Sequence, residues 1–319
     1  MGIARPTARE IYFSDHCLPS RTEAQQEECE KRFFTRVRLQ NQVFKTTYSR
    51  RLDDVNEALN GLLPGGTPVQ LMDVAISSGI STQEWIDSLI RARIDFRMVA
   101  GDLNINAYLL SFSKNLEILV DRSGYPIHFD IFGQGVEISL IKIIPRPLSF
   151  LMKKTIARLL MMDAPLVCYM RGDVKENASR FGLSCIPITL VSPRLSRHTR
   201  LEIIEDDILS NHSPNLANRF HAIRAANILN RAYFGKSEIK SILLNLRQRL
   251  RPGGLLAVCR TLRNNHTNGT IFCLNENGRF QAIKRIGEGS EIEEDVLSLS
   301  RAETVDQSSV DHSLAAASR

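Results

Sequence analysis

The chain has 319 residues, a length that allows two compact domains or one large α/β domain with an insertion. With 43% hydrophobic and 24% charged residues, its composition is close to globular averages and excludes a largely disordered chain. The net charge of +6 is too small to indicate nucleic-acid binding by itself. Residues 138–200, however, hold eleven Lys and Arg against three Asp and Glu, so the positive excess lies in one segment.

Cysteine usage and apolar runs bound the protein class further. The six cysteines occur singly, without C-x-x-C spacing, so we expect no zinc site and no disulfide scaffold. Reduced thiols favour a cytoplasmic protein. The first thirteen residues show no signal-peptide pattern, and apolar stretches are broken by Lys or Arg before about 18 residues. We therefore expect no membrane-spanning helix.

In chain order, helix-like apolar spacing over residues 22–46 and 51–63 predicts an N-terminal helical segment, residues 1–66. Residues 69–74 then predict a short strand. A small-residue loop, a helix over 82–93 and a second strand over 96–102 follow. Strand, helix and strand in this order predict a parallel sheet.

The next region, residues 113–200, interrupts this pattern. Residues 116–120 and 127–131 predict a hairpin around residues 121–124, and residues 148–162 predict a basic amphipathic helix. The α/β pattern then resumes with three strands, one helix and a final hairpin: residues 201–204, 220–225, 237–250, 255–259, 270–274 and 280–286. Residues 300–319 have few large apolar groups, which predicts a disordered tail.

The sharpest chemical signal is the segment from Asp73 to Gly79, at a strand end before a helix. Its small residues let the backbone approach a ligand closely, and a helix N-terminus presents N–H groups to it. Asp102 ends the second strand, where a carboxylate can accept hydrogen bonds from ribose hydroxyls. The alternative is tight strand–helix packing, with Asp73 only capping the helix.

Together these motifs resemble those of class I S-adenosylmethionine-dependent methyltransferases, without identifying a substrate subfamily. Residues 73–79 resemble the acidic-G-x-G-x-G first motif, although Ala75 and Ser77 replace two glycines. The other resembling segments are the ribose motif, the adenine motif, the fourth strand and the L-x-P-G-G-x-L turn: residues 99–104, 205–208, 220–229 and 250–256.

The resemblance implies an α/β fold: a Rossmann-like doubly wound sheet with an antiparallel C-terminal hairpin, an N-terminal helical segment, and a large insertion between the second and third sheet strands. Residues 67–112 and 201–299 would form the cofactor domain. Residues 113–200 would be a basic insertion that acts as a substrate lid.

The resemblance also implies S-adenosyl-L-methionine as cofactor. The residues it assigns to cofactor binding are Asp73, Ala75, Ser77, Gly79, Asp102, Leu103, Asp206, Asp207 and Ala225. Candidate catalytic residues are Asn227 and Tyr233 after the fourth strand and His128 in the hairpin, with packing roles as the alternative for Tyr233 and His128. The histidines show no metal-ligand spacing, and we predict no metal.

The leading hypothesis is an enzyme that methylates an oxygen or nitrogen atom of a small-molecule or natural-product acceptor. The basic insertion suits an acidic or amphipathic acceptor. The alternatives are a protein or RNA methyltransferase, and a non-catalytic methyltransferase-like binding protein. Few aromatic residues interleave with the basic ones, so we do not expect a nucleic-acid partner. A membrane-surface role for 148–162 and a homodimer stay open.

Overall fold

The computed structural model describes residues 5–13, 22–39, 45, 50–136, 173–210, 214–262 and 266–299. The chain divides into two compact units. Unit 1 comprises Met1–Tyr48, Ser77–Gly79 and Asn104–Arg197, and unit 2 comprises Ser49–Ile76, Ile80–Leu103 and His198–Arg319. The predicted helix over 148–162 and the predicted tail over 300–319 lie outside the described residues.

The helices and strands are named in chain order. The helices are α1 (Ala8–Phe13), α2 (Glu23–Phe34), α3 (Asp53–Asn60), α4 (Ile80–Arg91), α5 (Val174–Arg180), α6 (Pro193–Ser196), α7 (Lys236–Arg249) and α8 (Glu293–Leu297). The strands are β1 (Val69–Val74), β2 (Phe96–Asp102), β3 (Asn106–Ser113), β4 (Leu116–Asp121), β5 (Pro126–Ile131), β6 (Gln134–Val136), β7 (Ser184–Thr189), β8 (Leu201–Glu205), β9 (Phe220–Ala226), β10 (Leu250–Thr261), β11 (Thr267–Leu274) and β12 (Phe280–Ile286).

Unit 2 is built on a seven-stranded sheet of order β12-β11-β10-β9-β1-β2-β8. The five strands from β10 to β8 run parallel, while β11 and β12 continue the sheet as antiparallel neighbours. This confirms the Rossmann-like α/β prediction and the antiparallel C-terminal hairpin. The chain order reverses between β1 and β9, and such a switch point is where open α/β sheets bind ligands.

The helices of unit 2 follow from apolar spacing. In α7, Ile239, Ile242, Leu243 and Leu246 recur on one face and are buried in the same core as strands β9 and β10. In α4, Trp85 belongs to the buried face. Within the described parts of the chain, every helix is too short or too polar to cross a bilayer.

Unit 1 contains a second sheet, antiparallel and five-stranded, of order β6-β5-β4-β3-β7. Helix α2 contributes Phe33 and Phe34 to a core shared with Leu109 and Ile127 of this sheet. The sheet confirms the predicted hairpin and shows that the insertion between β2 and β8 carries more strands than the sequence analysis found. Residues 104–112, assigned there to the cofactor domain, lie in unit 1.

Candidate functional site

The loop between β1 and α4, residues 75–79, has left-handed backbone at every second residue. Ala75, Ser77 and Gly79 have φ angles of 56°, 58° and 78°. For a residue with a Cβ atom this conformation costs roughly 1–2 kcal/mol, whereas glycine adopts it freely. The loop therefore takes a glycine conformation at all three positions where the family motif has glycine, although two of these glycines are replaced.

A buried lysine holds the middle of this loop within unit 1. The Lys45 side chain is 1% exposed. Its Nζ atom donates to the carbonyl oxygens of Ser77 at 3.0 Å and Leu190 at 3.3 Å. Because a buried ammonium needs several acceptors, these carbonyls stabilise the lysine while the lysine fixes their orientation.

The next two loop residues contact α6 and the residue just before it. The backbone N–H of Ser192 donates to the carbonyl oxygen of Ser78 at 2.8 Å. A Cβ atom added at Gly79 would lie 2.2 Å from Cδ2 of Leu195. Leu195 therefore occupies the space that a side chain at position 79 would need. Glycine at this position allows this packing inside unit 1.

Asp73, at the end of β1, lies in a buried ion pair. Arg224 of β9 donates to its two carboxylate oxygens, through Nε at 3.0 Å and through Nη2. The Thr82 hydroxyl of α4 donates to the same carboxylate at 2.7 Å. Arg224 is fully buried, donates to Asn56 Oδ1 at 2.6 Å and lies over the Trp85 ring at 4.6 Å. The structure thus gives the Asp73 carboxylate bonds that join β1, β9 and the start of α4.

Asp206, after β8, lies in a second buried ion pair. Arg249 donates to its two carboxylate oxygens at 2.6 and 2.9 Å. Gly101 allows this arrangement, because a Cβ atom there would lie 2.9 Å from the Asp206 Cβ. The neighbouring Asp207 is half-buried, and its Oδ1 accepts the N–H of Leu209 at 3.0 Å.

The end of β2 contrasts a buried carboxylate with an exposed apolar side chain. Asp102 is 8% exposed, and its backbone carbonyl accepts the N–H of Asp206 at 3.1 Å. The Leu103 side chain is 55% exposed. A carboxylate beside an open apolar surface can bind the sugar and the base of a nucleoside.

At the end of β9, Asn227 has left-handed backbone, which asparagine tolerates better than most residues with a Cβ atom. Ala225 is buried, and Asn227 has a φ angle of 62°. The Asn227 N–H donates to the Cys259 carbonyl at 2.7 Å, and its Oδ1 accepts the Thr261 N–H at 2.7 Å. Its Nδ2 atom is buried and has no hydrogen-bond acceptor among the described residues. A buried donor without an acceptor typically costs about 1–3 kcal/mol.

The Cys259 thiol and the Tyr233 side chain also follow from the strands at this edge, and they differ in exposure. Burial raises the pKa of the Cys259 thiol to about 12, so this cysteine stays protonated at neutral pH and offers no thiolate. Tyr233, in the segment after β9, is 58% exposed.

His128 belongs to unit 1 and has no exposed surface. Its Nε2 lies 3.1 Å from Asp130 Oδ1, and the ring meets Phe33 edge-on at 4.9 Å between centroids. Asp130 Oδ2 accepts the N–H of Ala8 at 2.8 Å. These contacts pack His128 against α2 and, through Asp130, link it to the start of α1, which agrees with the packing alternative of the sequence analysis.

In unit 2 the carboxyl ends of parallel strands gather Ala75, Asp102, Asp206 and Asn227 at one edge of the sheet. Sequence reasoning missed Arg224, Arg249 and Lys45. Arg224 did carry a signal, since a lone arginine in an apolar parallel strand needs a buried partner. Among the described residues, no group of three metal-ligating side chains occurs.

No protein-family model matches this chain, and no curated protein does. Solved structures do match, and methyltransferases predominate among them. The methylation domain of citrinin polyketide synthase aligns with 65% of this chain and 34% of its own, at 15% identity and a TM-score of 0.31. An O-methyltransferase family protein from Burkholderia thailandensis aligns over 75% of this chain and 42% of its own length, at 10% identity and a TM-score of 0.31. The [4+2]-cyclase SpnF aligns over 65% of this chain and 44% of its own length, at 13% identity and a TM-score of 0.29. The match spans less than half of each of these chains.

Proposed function

We propose that this protein binds S-adenosylmethionine at the carboxyl edge of the seven-stranded sheet and transfers its methyl group to a small-molecule acceptor. The observation that carries the proposal is the carboxyl edge of the sheet, where Ala75, Asp102 and Asn227 lie at the ends of β1, β2 and β9, beside the switch point. In open α/β sheets this edge is where ligands bind.

The residues at this edge fit the parts of the cofactor. Asp102 would accept hydrogen bonds from the ribose hydroxyls, and the exposed Leu103 would cover the adenine ring. The left-handed residue Ala75 gives the start of the loop after β1 a conformation that lets a backbone approach a ligand.

The cofactor supplies a methyl group already activated on a sulfonium, so the protein has mainly to position the acceptor and exclude water. The half-buried Asn227 would lie beside the acceptor or the cofactor's amino-acid part. Tyr233 is exposed enough to line the acceptor's path. An acidic or amphipathic acceptor suits the basic excess of residues 138–200.

Calorimetric titration of the full chain with S-adenosylmethionine and S-adenosylhomocysteine tests the proposal. We expect both to bind, and Asp102→Ala to weaken binding by about 1–3 kcal/mol because it removes a ligand-facing acceptor. Asp95→Ala is the matched control, because this exposed carboxylate precedes β2 at the opposite end of the strand. Absence of binding to both ligands would refute the proposal, and equal effects of the two variants would move the ribose site elsewhere.

A specific observation favours a second candidate, a non-catalytic binding protein of the same fold. Asp73 and Asp206, two of the carboxylates assigned to the cofactor, each make a two-pronged ion pair with a buried arginine. Arginines of the protein thus already bind the carboxylate oxygens that the resemblance assigns to the cofactor. Binding of S-adenosylhomocysteine without methyl transfer to any acidic or amphipathic acceptor tested would favour this candidate.

A further inference from the structure

The amino edge of the seven-stranded sheet, opposite to the edge of the proposed cofactor site, carries a row of polar side chains. The register of β1, β2 and β9 places Gln70 between His221 and Arg97, with their side chains on the same face of the sheet. Arg251, at the start of β10, extends the row beyond His221. Both arginines are exposed, and the two residues between them are half-buried.

A hydrogen bond from the backbone determines the tautomer of His221. The backbone nitrogen of Gln70 lies 2.9 Å from His221 Nδ1, and an amide N–H can only donate. Nδ1 is therefore the acceptor, and the neutral ring carries its proton on Nε2. Burial and the positive charge of Arg251 lower the pKa of His221 below its usual value, so the ring is neutral at neutral pH.

His221 and Arg251 consequently present two hydrogen-bond donors to each other. Arg251 Nη1 lies 2.7 Å from His221 Nε2. A guanidinium has only donors, so this contact leaves both N–H groups without an acceptor. An acceptor placed beside them would take hydrogen bonds from both. The exposed Arg251 side chain has room to turn toward it.

The charges at this edge also favour an anion. In the part of the chain that the structure describes, neither Arg251 nor Arg97 forms an ion pair. The exposed Asp95 lies 3.9 Å from a third arginine, Arg200, which lines a cleft of about 210 Å³ together with Arg97. The row therefore carries an excess of positive charge, which attracts anions.

We propose that Arg251 and His221 bind the phosphate group of a phosphate monoester at this edge, in a second site that is independent of the cofactor. Such a group has three terminal oxygens and carries about two negative charges at neutral pH. Its oxygens can accept the guanidinium N–H groups and the Nε2–H together, while Arg97 supplies a second positive charge in the same row. A carboxylate, with one charge and two oxygens, matches the row less well.

Nitrogen NMR of the imidazole rings of the full chain, during titration with methyl phosphate at constant ionic strength, tests the proposal. We expect the His221 signals, assigned by their loss in His221→Phe, to shift and saturate. Arg251→Met should weaken binding at least about tenfold, because hydrogen bonds to charged groups typically contribute that much. Arg260→Met is the control, since it removes the same charge from the other end of β10, and it should leave binding unchanged.

Three results would overturn the proposal. The first is that the His221 signals do not move. The second is an equal loss of affinity in Arg251→Met and Arg260→Met, which would indicate a general effect of charge. The third concerns acetate, the matched carboxylate probe: acetate that binds as tightly as methyl phosphate would contradict a phosphate site.

The outcome is separate from that of the proposed function, because the titration needs no cofactor. Arg251→Met should bind S-adenosylhomocysteine as wild type does, since the two sites lie at opposite edges of the sheet. Should Arg251→Met fail to fold, Arg251→Lys keeps the charge and loses the planar fork, and it should also weaken binding of methyl phosphate. Unchanged binding in Arg251→Lys and in His221→Phe, measured by calorimetry, would then refute the proposal.

Discussion

Two buried arginines change how the acidic residues of the sheet are understood. Asp73 and Asp206 resemble cofactor-binding carboxylates in the sequence, yet each is bound by an arginine with almost no exposed surface. Arg224 faces Asp73 directly in the register of β1 and β9, so the pair links the two strands at the switch point. The charges of Asp73 and Asp206 therefore take part in buried ion pairs of the folded state.

At this scale we predict that Arg224→Met is strongly destabilising. It leaves the Asp73 carboxylate buried without its cation, which typically costs about 3–5 kcal/mol. Arg219→Met is the control, because its pair with Glu202 is exposed and such pairs contribute at most about 1 kcal/mol. Urea denaturation measures both. A loss for Arg224→Met no larger than for Arg219→Met would contradict the importance of the pair.

The position of Asp73 at a strand end could be predicted from sequence, but its partner could not. Asp73 and Arg224 are 151 residues apart, and only the strand order brings them together. The same holds for Lys45, whose acceptors Ser77 and Leu190 lie in two distant stretches of the chain. Local patterns contain no information about such pairings.

Elements with strong local patterns were predicted closely. The predicted bounds of β1, β2 and β12 agree with the structure, because these runs have apolar patterns and end at polar or glycine-rich turns. Strands β3 and β7 were missed. β7 contains Pro187 and is mostly exposed or half-buried along its length, which removes the alternation that marks a strand. It is defined by its pairing with β3.

Helix α2 supplies a prediction at the scale of an element. Thr22 and Gln25 form a capping box at its N-terminus, with the Thr22 hydroxyl accepting the Gln25 N–H at 3.3 Å. Thr22→Ala should lower the free energy of unfolding by about 1 kcal/mol. Thr35→Ala, at the exposed C-terminal end of the same helix, should change it by less than about 0.5 kcal/mol. If both variants lowered the free energy of unfolding equally in denaturation experiments, the capping box would not stabilise the helix.

At the scale of the whole molecule, we expect Glu30 to make the free energy of unfolding depend on pH. This buried carboxylate accepts the Ser192 hydroxyl at 2.6 Å and Arg194 Nε at 3.3 Å, while its Oε1 has no partner among the described residues. Burial raises its pKa above the usual 4.5, outweighing the lowering by Ser192 and Arg194. The folded state therefore binds the proton more tightly than the unfolded state.

It follows that wild-type stability, relative to Glu30→Gln, should fall as the pH rises from about 4.5 through the raised pKa. The control has the opposite sign. Hydrogen bonds from Arg9 lower the pKa of Glu117, so the stability of wild type relative to Glu117→Gln should be fully present above about pH 4.5 and be lost as the pH falls through the lowered pKa. Urea denaturation between about pH 3 and 7 measures both differences. Parallel curves for wild type and Glu30→Gln would contradict the first.

The order of strands also governs how the chain folds while it is being made. β1 can pair with β2 early, but its other edge pairs with β9, about 150 residues later. At about 5–20 residues per second, that edge stays open on the order of 10 s during synthesis. Asp73 lies on this open edge with its charge unmatched until Arg224 is synthesised. An inward-pointing charge is one of the devices that keep an unpaired strand from joining a foreign one. The lone Asp73 carboxylate thus protects this edge until β9 brings Arg224 to pair with it.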